Sequence, residues 1–272
     1  MKTNPKTPAT NKSPDWENLL NQALTEPGII SSCYSRFHGY SFANQLLAGF
    51  QLAAKGLPMA PIATYKKWAE LGRQVRKGEK ALSLYIPATA KKKDEDGNEK
   101  EGDIAHFFVM RPLWFSLDQT DSISGEEYSA PAVDIGWDKA KALASLGITE
   151  VPFHYMDGNA QGFARGNGVA VNPVAVLPHK TLFHEIAHVV LGHTGEGDEE
   201  LRDDEALSRS VREVEAESTA YLCCAALELP GLTESRGYIQ SWLSSAPLPE
   251  KSMRRIFSAA NKILAAGSSK PE

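Results

Sequence analysis

The sequence has few cysteines and no long apolar segment. Three of its 272 residues are cysteines and none of them forms a C-x-x-C pair, which argues against a disulfide framework or a four-cysteine zinc site. No apolar run approaches the roughly 18 residues that a membrane span requires. Residues 1–13 are polar, lack the apolar core of a secretory signal, and are predicted to form a flexible tail. We therefore expect a cytoplasmic protein with no membrane partner.

The composition is that of a globular protein, with 42% hydrophobic and 23% charged residues. Helical and strand-like periodicities both occur, which predicts an α+β fold. The length allows two domains, and the polar, acidic stretch at 118–131 is typical of a linker. We predict an N-terminal α+β domain over residues 14–117, a linker over 118–131 and a C-terminal domain over 132–272.

Charge is distributed unevenly along the chain. Lys55–Lys93 contains ten basic residues and two acidic ones, whereas Thr194–Glu217 contains ten acidic residues and three arginines. Such an asymmetry indicates two separate functions, one of which involves a polyanion.

The motif H-E-x-x-H occurs once, with His184, Glu185 and His188, in an apolar segment that predicts a helix. Residues four apart share a helix face, so the two imidazoles can bind one Zn²⁺ together. Glu185 can then accept a proton from a water molecule at the metal. The alternative is an accidental pair of surface or core histidines. Three polar side chains in so apolar a helix would, however, be costly to bury without a metal.

A third zinc ligand is expected from the acidic segment that begins 25 residues after His188. On a helix, Glu213 and Glu217 share one face with small residues, while Glu215 lies about 200° from Glu213. In the gluzincin pattern the first acid binds the metal and the acid four residues later orients a ligand histidine. We assign these roles to Glu213 and Glu217, and exchange of the two remains open. The alternative is three acids on a solvated helix face.

His193 follows His188 by five residues, or about 500° around a helix. If the helix continues, this side chain points elsewhere, so we expect His193 to be an outer partner of the site or a surface residue and not a ligand. Hydrolysis also needs a group that stabilises the oxyanion. The sequence does not choose among four candidates, which are His154, Tyr155, His179 and His193.

The stretch from Tyr65 to Lys80 interleaves aromatic and basic residues. Single-stranded nucleic acid requires both types, because cations contact the phosphates and flat rings stack on the bases. A solvated charged face is the alternative. The candidate DNA-binding residues are Lys66, Lys67, Trp68, Arg73, Arg76, Lys77 and Lys80.

These motifs resemble those of one known family. SFANQLL at 41–47 and WAELGRQVRKGEK at 68–80 closely resemble the N-terminal domain of ArdC-type antirestriction proteins. H-E-x-x-H at 184–188 and E-x-x-A-E at 213–217 resemble the zincin domain that is joined to it in that family. VVLGH at 189–193, like the E-x-x-A-E element, is also similar to ImmA/IrrE-type regulatory metallopeptidases. The resemblance covers roughly residues 14–230.

The resemblance implies that the N-terminal domain binds single-stranded DNA and that the protein protects mobile DNA from host restriction. Together with the motif, it predicts a zinc metallopeptidase with a zincin-like domain and an unknown protein substrate. A non-enzymatic DNA-binding antirestriction factor with a structural or vestigial zinc site is the alternative. A general peptidase with an incidentally basic accessory domain is a third possibility. Glu185 favours the enzyme, because a purely structural site needs no general base.

Overall fold

The chain has a mixed α and β architecture, as predicted. The computed structural model describes residues 15–37, 39–93, 99–126, 128, 136–154, 160–195 and 209–268. No helix in these ranges is long and apolar enough to cross a membrane. The chain divides into two compact units, of which unit 1 comprises residues 1–15 and 51–130, and unit 2 comprises residues 16–50 and 131–272.

Unit 1 is built around a long antiparallel hairpin of β3 (Leu82–Lys93) and β4 (Glu99–Ser116). Strand β1 (Ile62–Thr64) pairs with the end of β4, so the sheet has the order β1-β4-β3. Strands β2 (Arg73–Val75) and β5 (Thr120–Ser122) form a second antiparallel pair.

A short helix, α4 (Tyr65–Glu70), follows β1 directly. The Thr64 hydroxyl accepts a hydrogen bond from the backbone N–H of Lys67 and caps the helix. Trp68 points into the core of unit 1, where its ring is 1% exposed and its Nε1 donates to the Phe115 carbonyl at 2.8 Å. Burying Trp68 leaves the opposite side of α4 at the surface.

Unit 2 is mainly helical, with α7 at its centre. Every residue of α7 from Val214 to Ala226 is buried, because α2, α6, α8 and α9 all contact it. The helices are α1 (Trp16–Thr25), α2 (Pro27–Arg36), the first part of α3 (Phe42–Ala54), α5 (Lys139–Leu146), α6 (Pro178–Val190), α7 (Arg209–Ala226), α8 (Leu232–Ser245) and α9 (Glu250–Gly267).

A small sheet in unit 2 lies against α6. Its strands are β6 (Thr149–Glu150), β7 (Gly162–Arg165) and β8 (Gly168–Val171), in the order β6-β8-β7. Strand β6 is parallel to β8, and β7 is antiparallel to it. Strand β7 is therefore an edge strand beside the helix that carries H-E-x-x-H.

The compact units differ from the predicted division at residues 117 and 132. The segment Trp16–Phe50 belongs to unit 2. The Trp16 ring lies 5.5 Å from that of Phe257, and the Tyr221 hydroxyl donates to the carbonyl of Ala23. Hydrophobic periodicity shows that a helix has an apolar face, but it does not show which helix covers that face.

The predicted linker is also partly structured. Within residues 118–131, the segment up to Ser122 completes unit 1, because β5 pairs with β2 and the Gln119 amide donates to Glu79. Residues 127 and 129–131 lie outside the described part of the chain, as does the predicted tail over 1–13.

Candidate metal centre

Helices α6 and α7 bring three metal-binding side chains together. In the described part of the chain, His184, His188 and Glu213 form a group whose ligand atoms lie within 4.8 Å of one another. The two histidine Nε2 atoms are 3.0 Å apart, and Oε2 of Glu213 lies 3.4 Å and 3.7 Å from them. Two ligands of a tetrahedral zinc ion with bonds of about 2.05 Å lie about 3.3 Å apart. The donor set therefore fits a zinc-sized cation.

Glu217 lies where the sequence predicts it, behind His184. Its Oε2 accepts a hydrogen bond from Nδ1 of His184 at 3.1 Å, and its Oε1 lies 2.7 Å from Nζ of Lys180. The proton on Nδ1 leaves the lone pair of Nε2 directed at the ligand group. Of the two assignments left open, this geometry matches the one with Glu213 as ligand.

His193 does not point away from the centre. Helix α6 ends at Val190, and Gly192 has a φ of +75°, which turns the chain sharply after the helix. This turn places Nδ1 of His193 3.0 Å from Nδ1 of His188. The expectation from helical geometry does not apply, because the helix does not continue.

The charges of the cluster reinforce one another. Burial alone would lower the pKa of His184, but hydrogen bonds with Glu213 and Glu217 raise it to about 9. Glu213 forms hydrogen bonds with His184 and His188, and these bonds hold the pKa of its carboxyl well below the usual range. Burial works against ionisation of Glu217, but its bonds to His184 and Lys180 lower its pKa to about 2. The cluster is thus an anionic site that attracts a proton or a metal cation.

Glu185 faces the same cavity, which has a volume of about 730 Å³ and is also lined by the three candidate ligands. The side chain is 8% exposed, and burial raises the pKa of its carboxyl. A raised pKa suits a general base that must later return its proton. Edge strand β7 also lines this cavity, through Gly162, Phe163 and Ala164.

The candidates for stabilising the oxyanion differ in their position relative to the cavity. His154 and His179 are exposed and do not line the cavity, and Tyr155 lies outside the described residues. His193 lines the cavity, but both of its nitrogens are within hydrogen-bond distance of other side chains.

Sequence reasoning missed two cations that line the cavity, Lys180 and Arg209. Lys180 precedes His184 by four residues, so helical spacing could have placed it on the same face of α6.

In unit 1 the structure separates the predicted DNA-binding residues into two groups. Trp68 is a correction: its ring is 1% exposed and cannot stack on a base. Arg73 is half-buried and donates to Thr120, and Arg76 is paired with Glu79 and Asp121. Lys66, Lys67, Lys77 and Lys80 are exposed.

An exposed aromatic side chain lies in the same region. Tyr65 is 52% exposed. It borders a cavity of about 580 Å³ that is also lined by Arg76, Lys77 and Phe115. The described basic surface of unit 1 therefore retains the combination of cations and a flat ring, with Tyr65 in the place assigned to Trp68.

Comparison with known proteins gives two kinds of match. Residues 13–111 match the family model of the N-terminal domain of anti-restriction factor ArdC. The crystal structure of the metal-free antirestriction ArdC protein from the R388 plasmid matches with a TM-score of 0.56 and 26% identity, covering 93% of this chain and 95% of that one. Its Mn(II)-bound structure matches with a TM-score of 0.50 and 23% identity, covering 93% and 96%. No curated protein sequence matches the chain.

The fold and the site define an α+β protein with a half-buried His/His/Glu cluster beside a buried acidic side chain. The chain thus contains an ArdC-type N-terminal domain over residues 13–111, and its fold is similar to that of the R388 ArdC protein.

Gly162 provides a test of this geometry. A Cβ atom there would lie 2.6 Å from Cγ2 of Thr181, 2.8 Å from the Ala170 carbonyl oxygen and 2.9 Å from Oε1 of Glu185. We expect Gly162→Ala to destabilise the protein by about 1–3 kcal/mol and to displace Glu185. The measurement is urea denaturation of the full chain.

Gly237→Ala is the matched control, because a Cβ at this position in α8 meets nothing within 4 Å. It should leave stability unchanged or raise it by up to about 1 kcal/mol. Equal denaturation midpoints for the two variants would contradict the close packing of β7 on α6.

Proposed function

We propose that this chain is an antirestriction protein of the ArdC type that combines single-stranded-DNA binding with a zinc-dependent peptidase site in a zincin-like region. The observation that carries the peptidase proposal is the convergence of His184, His188 and Glu213 with Glu185 at one open cavity. A structural zinc site is normally closed by four protein ligands, whereas a catalytic site has three and remains accessible.

The residues of the cavity have complementary roles in peptide hydrolysis. His184, His188 and Glu213 would hold the zinc ion, which supplies Lewis-acid polarisation of the scissile carbonyl when bound. Glu185 accepts the proton of the attacking water and delivers it to the leaving amine. The hydrogen bond from Nδ1 of His184 to Glu217 orients the ring so that Nε2 is directed at the position of the metal.

The metal assignment predicts different effects for two glutamates. Glu213→Gln removes an anionic ligand and should abolish stoichiometric binding of Zn(II). Glu217→Gln retains all three ligands and should bind Zn(II) with an affinity about 10–100-fold lower. The measurement is a competition titration against a chelating fluorophore, with Mn(II) in parallel because the R388 ArdC protein has an Mn(II)-bound form. Unchanged affinity in Glu213→Gln would overturn the assignment.

The enzymatic assignment is tested with Glu185→Gln. This variant should bind Zn(II) like the wild type but should cleave peptides about 10²–10⁴-fold more slowly, because the general base is lost. The substrate probe is a peptide library prepared from bacterial proteins, and the products are identified by mass spectrometry. If the zinc-loaded wild type produces no cleavage beyond Glu185→Gln, the non-enzymatic antirestriction factor is the better description.

DNA binding is supported by the exposed lysines of unit 1 and by Tyr65. The ammonium groups of Lys77 and Lys80 can neutralise phosphates, and the Tyr65 ring can stack on one base. The N-terminal family match supports the same role, because it covers α4 and β2.

This proposal predicts a salt-dependent affinity for a 20-nucleotide single-stranded DNA. Lys77→Glu combined with Lys80→Glu should weaken binding and reduce the slope of log K against log salt by about 1.4, or 0.7 for each lost phosphate contact. Tyr65→Ala should cost about 1–3 kcal/mol. Fluorescence anisotropy over a sodium chloride series measures both effects.

Lys251→Glu combined with Lys262→Glu makes the same charge change on exposed positions of α9. If this control weakens binding as much as the change at Lys77 and Lys80, or if salt leaves the affinity unchanged, the proposed interface is wrong.

A further inference from the structure

A chain of polar side chains lies behind His188, on the side away from Glu213. Nδ1 of His188 lies 3.0 Å from Nδ1 of His193, and Nε2 of His193 lies 2.8 Å from Oε2 of Glu215. Nη2 of Arg255 lies 3.7 Å from the same carboxylate oxygen. The side chains of His193 and Glu215 are 4% and 0% exposed, so solvent does not compete for these bonds.

The donor and acceptor roles along this chain follow from its last member. A carboxylate beside an arginine only accepts hydrogen bonds, so Nε2 of His193 must donate to Glu215. A neutral imidazole carries one N–H, so Nδ1 of His193 is an acceptor. Nδ1 of His188 therefore donates to it, which leaves the lone pair of His188 on Nε2. That is the nitrogen 3.0 Å from Nε2 of His184.

We propose that Arg255, Glu215 and His193 form a positioning relay that fixes the tautomer and orientation of His188 for metal binding. The relay rests on the proposed metal site and deepens it. Glu217 accepts a hydrogen bond from Nδ1 of His184, and His193 does the same for Nδ1 of His188. Each ligand histidine therefore has its own hydrogen-bond partner behind it.

The turn after α6 is built to hold this relay. Gly192 adopts a φ of +75°, and the backbone N–H of His193 donates to the carbonyl of His188 at 2.8 Å. Arg255 also donates to the Leu191 carbonyl, so one guanidinium holds both the turn and Glu215. Arg255 thereby fixes the position of the turn relative to the Glu215 carboxylate.

The burial of Glu215 lowers the stability of the fold. Its Oε2 serves His193 and Arg255, but its Oε1 is buried without a hydrogen-bond partner in the described structure. A buried, incompletely bonded carboxylate weakens a fold relative to an apolar residue of similar size. Stability therefore does not explain why Glu215 is present, whereas its hydrogen bond to His193 does, because this bond orients the His193 ring.

His193→Phe tests the relay, because it keeps a ring in place and removes both nitrogens. We expect the affinity for Zn(II) and Mn(II), measured by chelator competition, to fall about 10–100-fold. His193→Asn should recover most of this loss, since its amide oxygen can accept the hydrogen bond from His188. His179→Phe, on the exposed first turn of α6, is the matched control and should bind both metals like the wild type.

A second measurement separates positioning from general destabilisation. Nitrogen-15 chemical shifts should show His188 of the wild type with its proton on Nδ1, and a mixture of tautomers in His193→Phe. Circular dichroism of each variant without added metal monitors folding.

Failure of the relay and failure of the metal site give different results. If the wild type binds neither Zn(II) nor Mn(II), the proposed function fails. If the wild type binds metal and a folded His193→Phe variant retains both the affinity and the His188 tautomer, only the relay is wrong.

Discussion

The candidate centre depends on the packing of α6 against α7. Small residues make the approach possible, because Ala216 and Ala220 share a face of α7 with Glu213 and Glu217 and are fully buried. The four-residue spacing in α6 places the ligand nitrogens of His184 and His188 3.0 Å apart, and the approach of α7 brings the Glu213 carboxylate within 3.7 Å of both. Lone pairs so close together repel one another unless a cation lies between them. The packing of the two helices thus favours the binding of a proton or a metal ion between these side chains.

Three acidic residues within five positions of a largely buried helix would ordinarily be destabilising. Here each carboxylate lies close to basic side chains. Glu213 faces the two histidines, Glu217 pairs with His184 and Lys180, and Glu215 lies within reach of His193 and Arg255. Glu213 and Glu217 share His184, which each of them contacts through a different ring nitrogen, whereas the partners of Glu215 are separate from theirs. The pairings also make the groups interdependent, since removal of one partner leaves a buried charge uncompensated.

The sequence predicts the parts of the site that depend on spacing within a helix. The shared face of His184 and His188, and that of Glu213 and Glu217, follow directly from helical periodicity. The position of His193 does not, because it depends on where α6 ends and on the left-handed conformation of Gly192. Glu215 is similarly ambiguous: its distance around the helix from Glu213 is predictable, but its partner Arg255 comes from α9, 40 residues later.

Aromatic residues illustrate the same limit. The interleaving of rings and lysines in α4 predicts a stacking surface, but composition cannot tell which ring is inside. Trp68 has the larger and more apolar ring and is buried in the core of unit 1. Tyr65, at the start of the same helix, is exposed. Strand β7 is a related case, because its first residue, Gly162, is typical of a turn. The absence of a side chain there instead allows the strand to approach Glu185.

The unit that holds the metal centre is discontinuous in sequence. The family domain over residues 13–111 crosses the boundary between the compact units, and its first helices belong to unit 2. Helix α2 contacts α7, and the backbone N–H of Phe42 donates to Asn261 of α9 at 2.8 Å. A fragment beginning at residue 132 would lack these helices and would expose the part of α7 that they cover. The segment over residues 16–50 is therefore part of the scaffold of the metal centre, although it precedes the ligands by more than 130 residues in the sequence.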